Sequence, residues 1–291
     1  MKNPSKILGL IVLLLGVPGS VFGDRAHDLA SMAAKQKAVH CPSVALTVQT
    51  CHQQFPDGCT TSKTITYDPY LDFLKNQVPG PTLASTADLG QNDFKTLETK
   101  IPAGMGNGHQ AKFASKLADL GQGNIVTVIA YLYFVEDTGI AGGGKPSPGE
   151  TCNCKMQLPD SYDYHIGLGF DPALAAQIRK KRFKPLQGPP TTMEKNSVVA
   201  EMTPHTRTPK WTFARVNSLQ GQQVKVVGQL MIDNFHLKIS DDCGLAGATA
   251  ACWRSTVWEV HPVTQFYVCN LSAGCDKSSP GSAWTALDDV P

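Results

Sequence analysis

Arg254-Ser255-Thr256-Val257-Trp258-Glu259-Val260-His261-Pro262-Val263-Thr264-Gln265-Phe266-Tyr267-Val268-Cys269 is the stretch on which the fold turns. Its β-branched and aromatic residues predict a strand. Side chains alternate faces along a strand, so Glu259 and His261 share one face while Trp258 and Val260 take the other. Pro262 removes one ladder donor, which a sheet tolerates at an edge or a bulge but not in a regular central strand. An acid and an imidazole side by side at such an irregularity form the first candidate site.

Working backwards, residues 223–232 read as a strand, separated from the last one by a loop that carries Cys243 and Cys252. Pro209 opens a helix running to about Leu219, as proline is tolerated in a first turn. Residues 197–202, 163–170 and 125–135 supply three earlier strands, the longest being the apolar run that starts at Ile125. A Gly-, Pro- and Cys-containing loop covers 139–159, and a basic helical insertion covers 172–184. The order strand, strand, strand, helix, strand, strand is that of the OB-fold, a five-stranded barrel with its helix between strands three and four. The expected fold class is therefore mainly β: an OB-like five-stranded barrel over 124–270, with a disulfide-tied α+β N-terminal extension over 24–123 and a C-terminal tail over 271–291. Within the extension the pattern predicts a helix over 24–39, a strand over 63–67 and short helical pieces over 93–98 and 109–120.

Lys2 and Lys6 precede an apolar run from Ile7 to Val17, and Val21-Phe22-Gly23 offers small residues for cleavage, so residues 1–23 read as a secretory signal. The run is too short for a membrane span. The expected mature protein is secreted or periplasmic, without a membrane span. All 9 cysteines follow the signal, in a compartment where disulfides persist. Cys243 with Cys252 and Cys269 with Cys275 are the local pairs. Cys152 and Cys154 are too close to bridge each other without strain and are expected to reach different partners among Cys41, Cys51 and Cys59. An odd count leaves at least one thiol. Cys152-Asn153-Cys154 is spaced too tightly for a zinc-type cysteine pair. A net charge of +2 over 291 residues implies no global attraction to polyanions.

Polar residues recur on the expected barrel strands or at their ends. Asp163 and His165 share a face on strand two, Glu201 lies on strand three, Asp233 and His236 follow strand four, and Glu259 and His261 lie on strand five. The motifs Asp163-x-His165, Glu201-x-Thr203-Pro204, Trp211 in the helix, Gly228-x-Leu230-x-x-Asp233-x-x-His236 and Trp258-Glu259-x-His261-Pro262-Val263 resemble a family of uncharacterised exported bacterial proteins, over roughly residues 125–268. The resemblance implies that these residues belong together, and it implies no reaction.

Imidazoles and carboxylates together suit a divalent ion, with zinc, magnesium and calcium not distinguished. The expected metal ligands are His165, His236 and His261. His261, Glu259 and Arg254 are the catalytic candidates, Arg254 holding an anion, and Asp163, Glu201 and Asp233 the binding ones. The competing reading is a hydrogen-bonded network that pins the loop between strands four and five. Two functions stay open: a metal-dependent phosphodiester hydrolase, nuclease-like, and a non-catalytic module for an oligosaccharide, a nucleic acid or a partner protein, since OB loops commonly bind such polymers. The basic run 179–184 reads mainly as a solvated helix face, and Gly139-x-x-x-x-Gly144-Lys145 lacks the hydroxyl residue that a phosphate loop needs.

Overall fold

The computed structural model describes residues 39–291 apart from 45, 62–67, 79–86, 107–109, 138–139, 142–144, 148 and 186–188. The expected signal, the expected strand over 63–67 and all but the last residue of the expected helix over 24–39 lie outside the described residues.

The strands are β1 (Ala87–Asp88), β2 (Ile125–Asp137), β3 (Ile140–Ala141), β4 (Lys145–Pro146), β5 (Tyr164–Gly169), β6 (Val198–Met202), β7 (Gln223–Ile232), β8 (Trp258–Cys269) and β9 (Trp284–Ala286). Five of them close on themselves in the order β2, β5, β6, β8, β7 and back to β2. Only the β6–β8 contact within that ring is parallel. This is the barrel expected from the order of elements. β1 adds to β2, and β9, within the expected C-terminal tail, adds to β8.

The helices are α1 (Val48–Gln54), α2 (Pro69–Lys75), α3 (Gln91–Glu98), α4 (Ala114–Asp119), α5 (Pro172–Lys180), α6 (Thr192–Lys195) and α7 (Phe213–Ser218). α7 lies between the third and fourth barrel strands, as expected. It starts at Phe213 rather than Pro209 because the Thr212 hydroxyl caps it, accepting from Arg215 N.

Alternation along the strands sorts residues between two faces. Ile166, Leu168, Ala200, Met202, Val226, Leu230, Trp258 and Val260 belong to the main core. Their odd-numbered neighbours point out of the barrel. Fully burying side chains of this size contributes about 1.5–3 kcal/mol each, so the inner face sets the register. β8 is a central strand, and Pro262 is accommodated where its pairing with β7 slips on either side of Gly228. A Cβ on Gly228 would lie 2.4 Å from the Pro262 carbonyl oxygen, so only glycine lets the bulged strand come this close.

β8 begins at Trp258, four residues later than expected. Arg254 is held in an isolated bridge to Asp242, and its Nε donates to Thr256 O at 2.9 Å, which turns the chain back before the strand starts.

Cys243–Cys252 and Cys269–Cys275 form as expected. Cys154 pairs with Cys51. Cys152 does not reach a second partner, contrary to expectation, because Cys41 and Cys59 pair with each other, and it stays a buried thiol. Among the described residues no helix is long and apolar enough to cross a membrane.

Candidate functional site

Register alone assembles the centre of the site on the outer face of the barrel. His165 on β5 is directly opposite Glu201 on β6. On the other side of β6, Ala200 aligns with Val260 of β8, so Glu201 falls beside Glu259 and His261. Glu201 Oε1 lies 3.1 Å from His165 Nε2, and Glu201 Oε2 lies 3.0 Å from His261 Nδ1. His261 Nδ1 is also 3.2 Å from Glu259 Oε1. Arg254 closes the row, its Nη2 donating to Glu259 Oε2 at 2.6 Å.

The N-terminal extension roofs this row. The Asp68 carboxylate caps α2 by accepting from the backbone of Tyr70 and Leu71, and Tyr70, Leu71, Phe73 and Leu74 pack with Met231 on the outer face of β7. At the end of that helix Lys75 Nζ lies 2.9 Å from Asp233 Oδ2 and 3.9 Å from Glu150 Oε2. Gln229 Nε2 donates to Leu74 O. From the loop between β2 and β5, Asn153 Nδ2 donates to Asp163 Oδ1 at 3.1 Å. On its other side Asn153 Oδ1 bonds His52 of α1, whose ring stacks on His205 with centroids 4.3 Å apart. Asp163, Arg254, Glu259 and His261 are 0 % exposed and Glu201 is 1 % exposed. The site is sealed.

Burying so many charges is costly unless they are paired. Burial alone would lower the His261 pKa, but Glu201 and Glu259 outweigh it and hold the imidazolium up to about 10. His165, against the same burial, is raised to about 9 by Glu201. Glu201 is held well below the usual carboxylate range, burial being overcome by His165, His261 and Lys75. Asp163 is pushed up to about 7 by burial and by Glu150, despite His261. Asp233 is lowered because Lys75, then His236 and Arg254, outweigh its burial.

Of the expected site residues, Asp163, His165, Glu201, Asp233, Glu259, His261 and Arg254 gather in this one network. His236 does not join its centre: its Nδ1 is 2.7 Å from Asp241 Oδ2, and its ring sits edge-on to Trp253 and Phe235. Arg254 is placed as a partner of Glu259 and not as a surface clamp for an anion, since it is wholly buried. Lys75, Asn153, Gln229 and Glu150 were not expected. For Lys75 a signal exists: Asp68-Pro69 is a helix start, and Lys75 follows the apolar pair Phe73-Leu74 at the helix end.

Among the described residues three groups have ligand atoms within 4.8 Å of one another: Asp163 with Glu201 and His261, Glu201 with Asp233 and Glu259, and Glu150 with Cys152 and Asp163. In the first group His261 Nε2 is buried without a hydrogen-bond partner and stands 3.8 Å from Asp163 Oδ2. Two ligands at about 2.0–2.2 Å from one ion stand roughly 3–4 Å apart. Two carboxylates and an imidazole with ligand atoms this close are a donor set that fits a divalent cation.

Comparison with protein-family models, with curated proteins and with solved structures finds no match.

Proposed function

We propose that this is an exported divalent-cation-binding protein built on an OB-like barrel, the ion being held by Asp163, Glu201 and His261 beneath the N-terminal extension. The observation that carries this reading is the buried, unpartnered His261 Nε2 aimed at Asp163. A buried nitrogen without a partner costs free energy; a cation that takes the place of the Nε2 proton, which leaves to solvent, removes that cost and leaves the Nδ1–H donating to Glu259. The four disulfides suit an oxidising compartment, and the motif resemblance to exported bacterial proteins accords with it.

Metal-dependent hydrolysis of a phosphodiester is the second reading. It is favoured by the site's position on the face around strands two and three, which OB-folds use for oligonucleotides and oligosaccharides. It requires the roof to lift, because a catalytic ion needs one position open to water and substrate and the residues here are sealed.

The test is the chelator-treated full chain titrated with zinc, magnesium and calcium, read by calorimetry and by melting temperature, beside Asp163→Asn. The expected result is one ion per chain at this site, a rise in melting temperature that follows ion concentration, and loss of both in Asp163→Asn. A wild-type chain that binds none of the three ions would overturn the reading. Incubation with DNA, RNA and a small phosphodiester decides the second reading, as ion binding without turnover leaves a non-catalytic module.

A further inference from the structure

Cys152 is the one cysteine outside the disulfides, and it sits next to the site just described. We propose that Glu150, Cys152 and Asp163 form a second cation position that shares Asp163 with the Asp163–Glu201–His261 position, and that the thiolate makes this centre select zinc-class ions over magnesium and calcium. The proposal rests on the cation reading for its neighbour but stands on its own ligands.

The ligand atoms of Glu150, Cys152 and Asp163 all lie within 4.8 Å of one another. Cys152 Sγ is 3.5 Å from Glu150 Oε2. A sulfur at about 2.3 Å and an oxygen at about 2.1 Å from one tetrahedral ion stand roughly 3.6 Å apart, so this pair needs little movement to grip an ion. Without the ion the same contact is a thiol donating to a carboxylate. Cys152 is 2 % exposed and its carbonyl accepts from Asn76 Nδ2, which anchors the turn to the end of α2.

The second observation comes from the other side of Asp163. His261 Nε2 is fully buried, has no hydrogen-bond partner and faces Asp163 Oδ2. Asp163 thus belongs both to the group with Glu150 and Cys152 and to the group with Glu201 and His261, which is the arrangement of a ligand shared between two ions. Lys75 competes for Glu150. Its ammonium is committed to Asp233 at 2.9 Å and reaches Glu150 only at 3.9 Å. Soft thiolate favours zinc and its relatives, whereas magnesium and calcium take oxygen ligands. On binding, the S–H bond breaks, the proton leaves to solvent and the sulfur–metal bond forms.

Cobalt(II) reports both positions in the full-length, chelator-treated chain. The expected result is two ions per chain and a near-ultraviolet sulfur-to-cobalt charge-transfer band, with Cys152→Ser losing the band and one ion. Zinc X-ray absorption on the wild type is the check that needs no variant, the expected result being a sulfur scatterer at about 2.3 Å. One ion with no band and only nitrogen and oxygen scatterers overturns the second position while leaving the first intact. A band and one ion that survive in Glu201→Gln uphold the thiolate position even where the first is lost. Absence of any bound ion, or Cys152 found in a disulfide, overturns the proposal.

Discussion

Asp163 and His261, nearly a hundred residues apart in the chain, face each other at 3.8 Å from Oδ2 to Nε2 with both side chains closed to solvent. That separation is too long for a hydrogen bond and short enough for a shared ligand. Each residue is held from behind, Asp163 by Asn153 and His261 by Glu259, while a ligand atom of Glu201 on the neighbouring strand lies within 4.8 Å of both. The gap is therefore built from three layers: the barrel strand, its neighbour strand and the roof.

Glu201 is the hinge of the charge balance. Replacing it with Gln keeps the shape and removes the negative charge between two imidazolium groups. The His165 pKa should then fall from about 9 toward or below its ordinary 6.5, because burial is left opposed only by weaker, more distant carboxylates. Titration of the His165 ring followed by NMR measures it. An unchanged value would mean that the Glu201–His165 pair does not form.

Arg254→Met should destabilise the fold by about 3–5 kcal/mol, since it strips Glu259 of its buried guanidinium partner. The double variant Arg254→Met, Glu259→Leu should recover most of that loss. A denaturant double-mutant cycle gives the coupling. If Arg254 instead served as an anion clamp, the single variant would keep its stability and lose polyanion binding.

Acid should loosen the roof at His52. Its pKa is lowered to about 4 by burial and by His205, against the hydrogen bond that its Nε2 donates to Asn153 Oδ1. A base depressed on folding contributes stability that is fully present above about 6.5 and is lost as pH falls toward 4. Melting temperature measured from pH 7 to pH 4 should drop more steeply in the wild type than in His52→Phe. Parallel curves for the two proteins would refute this role.

Removing the Cys243–Cys252 bridge by the double change to alanine should cost about 2–3 kcal/mol, as expected for a short closed loop. The loop it ties is flanked by Asp242 and Arg254, which form an isolated bridge at its base. Urea unfolding of the double variant checks the magnitude, and hydrogen exchange over residues 233–257 should show the loosening. Unaltered stability would mean that the loop is held by its ion pairs alone.

The strands were legible in the sequence because alternation is a local signal. Residues 223–232 and the face shared by Glu259 and His261 follow from a period of two, and Cys243–Cys252 and Cys269–Cys275 follow from short separations. Strand order carried the barrel, since five strands with one helix in the third gap, between strands three and four, leave few closed topologies. What only the tertiary structure decided is where the polar face goes. Periodicity says that His165, Glu201 and His261 point away from the core, and it is silent on whether they meet water or another part of the chain. Lys75, Asn153 and Cys152 come over this face through contacts that span from ten to more than a hundred and fifty residues, and the partner at the far end of such a contact is not written in the neighbouring sequence. His236 shows the converse: spaced like the others, it turned to Asp241, a partner five residues away, because a loop frees a side chain from the facing rule that a strand imposes.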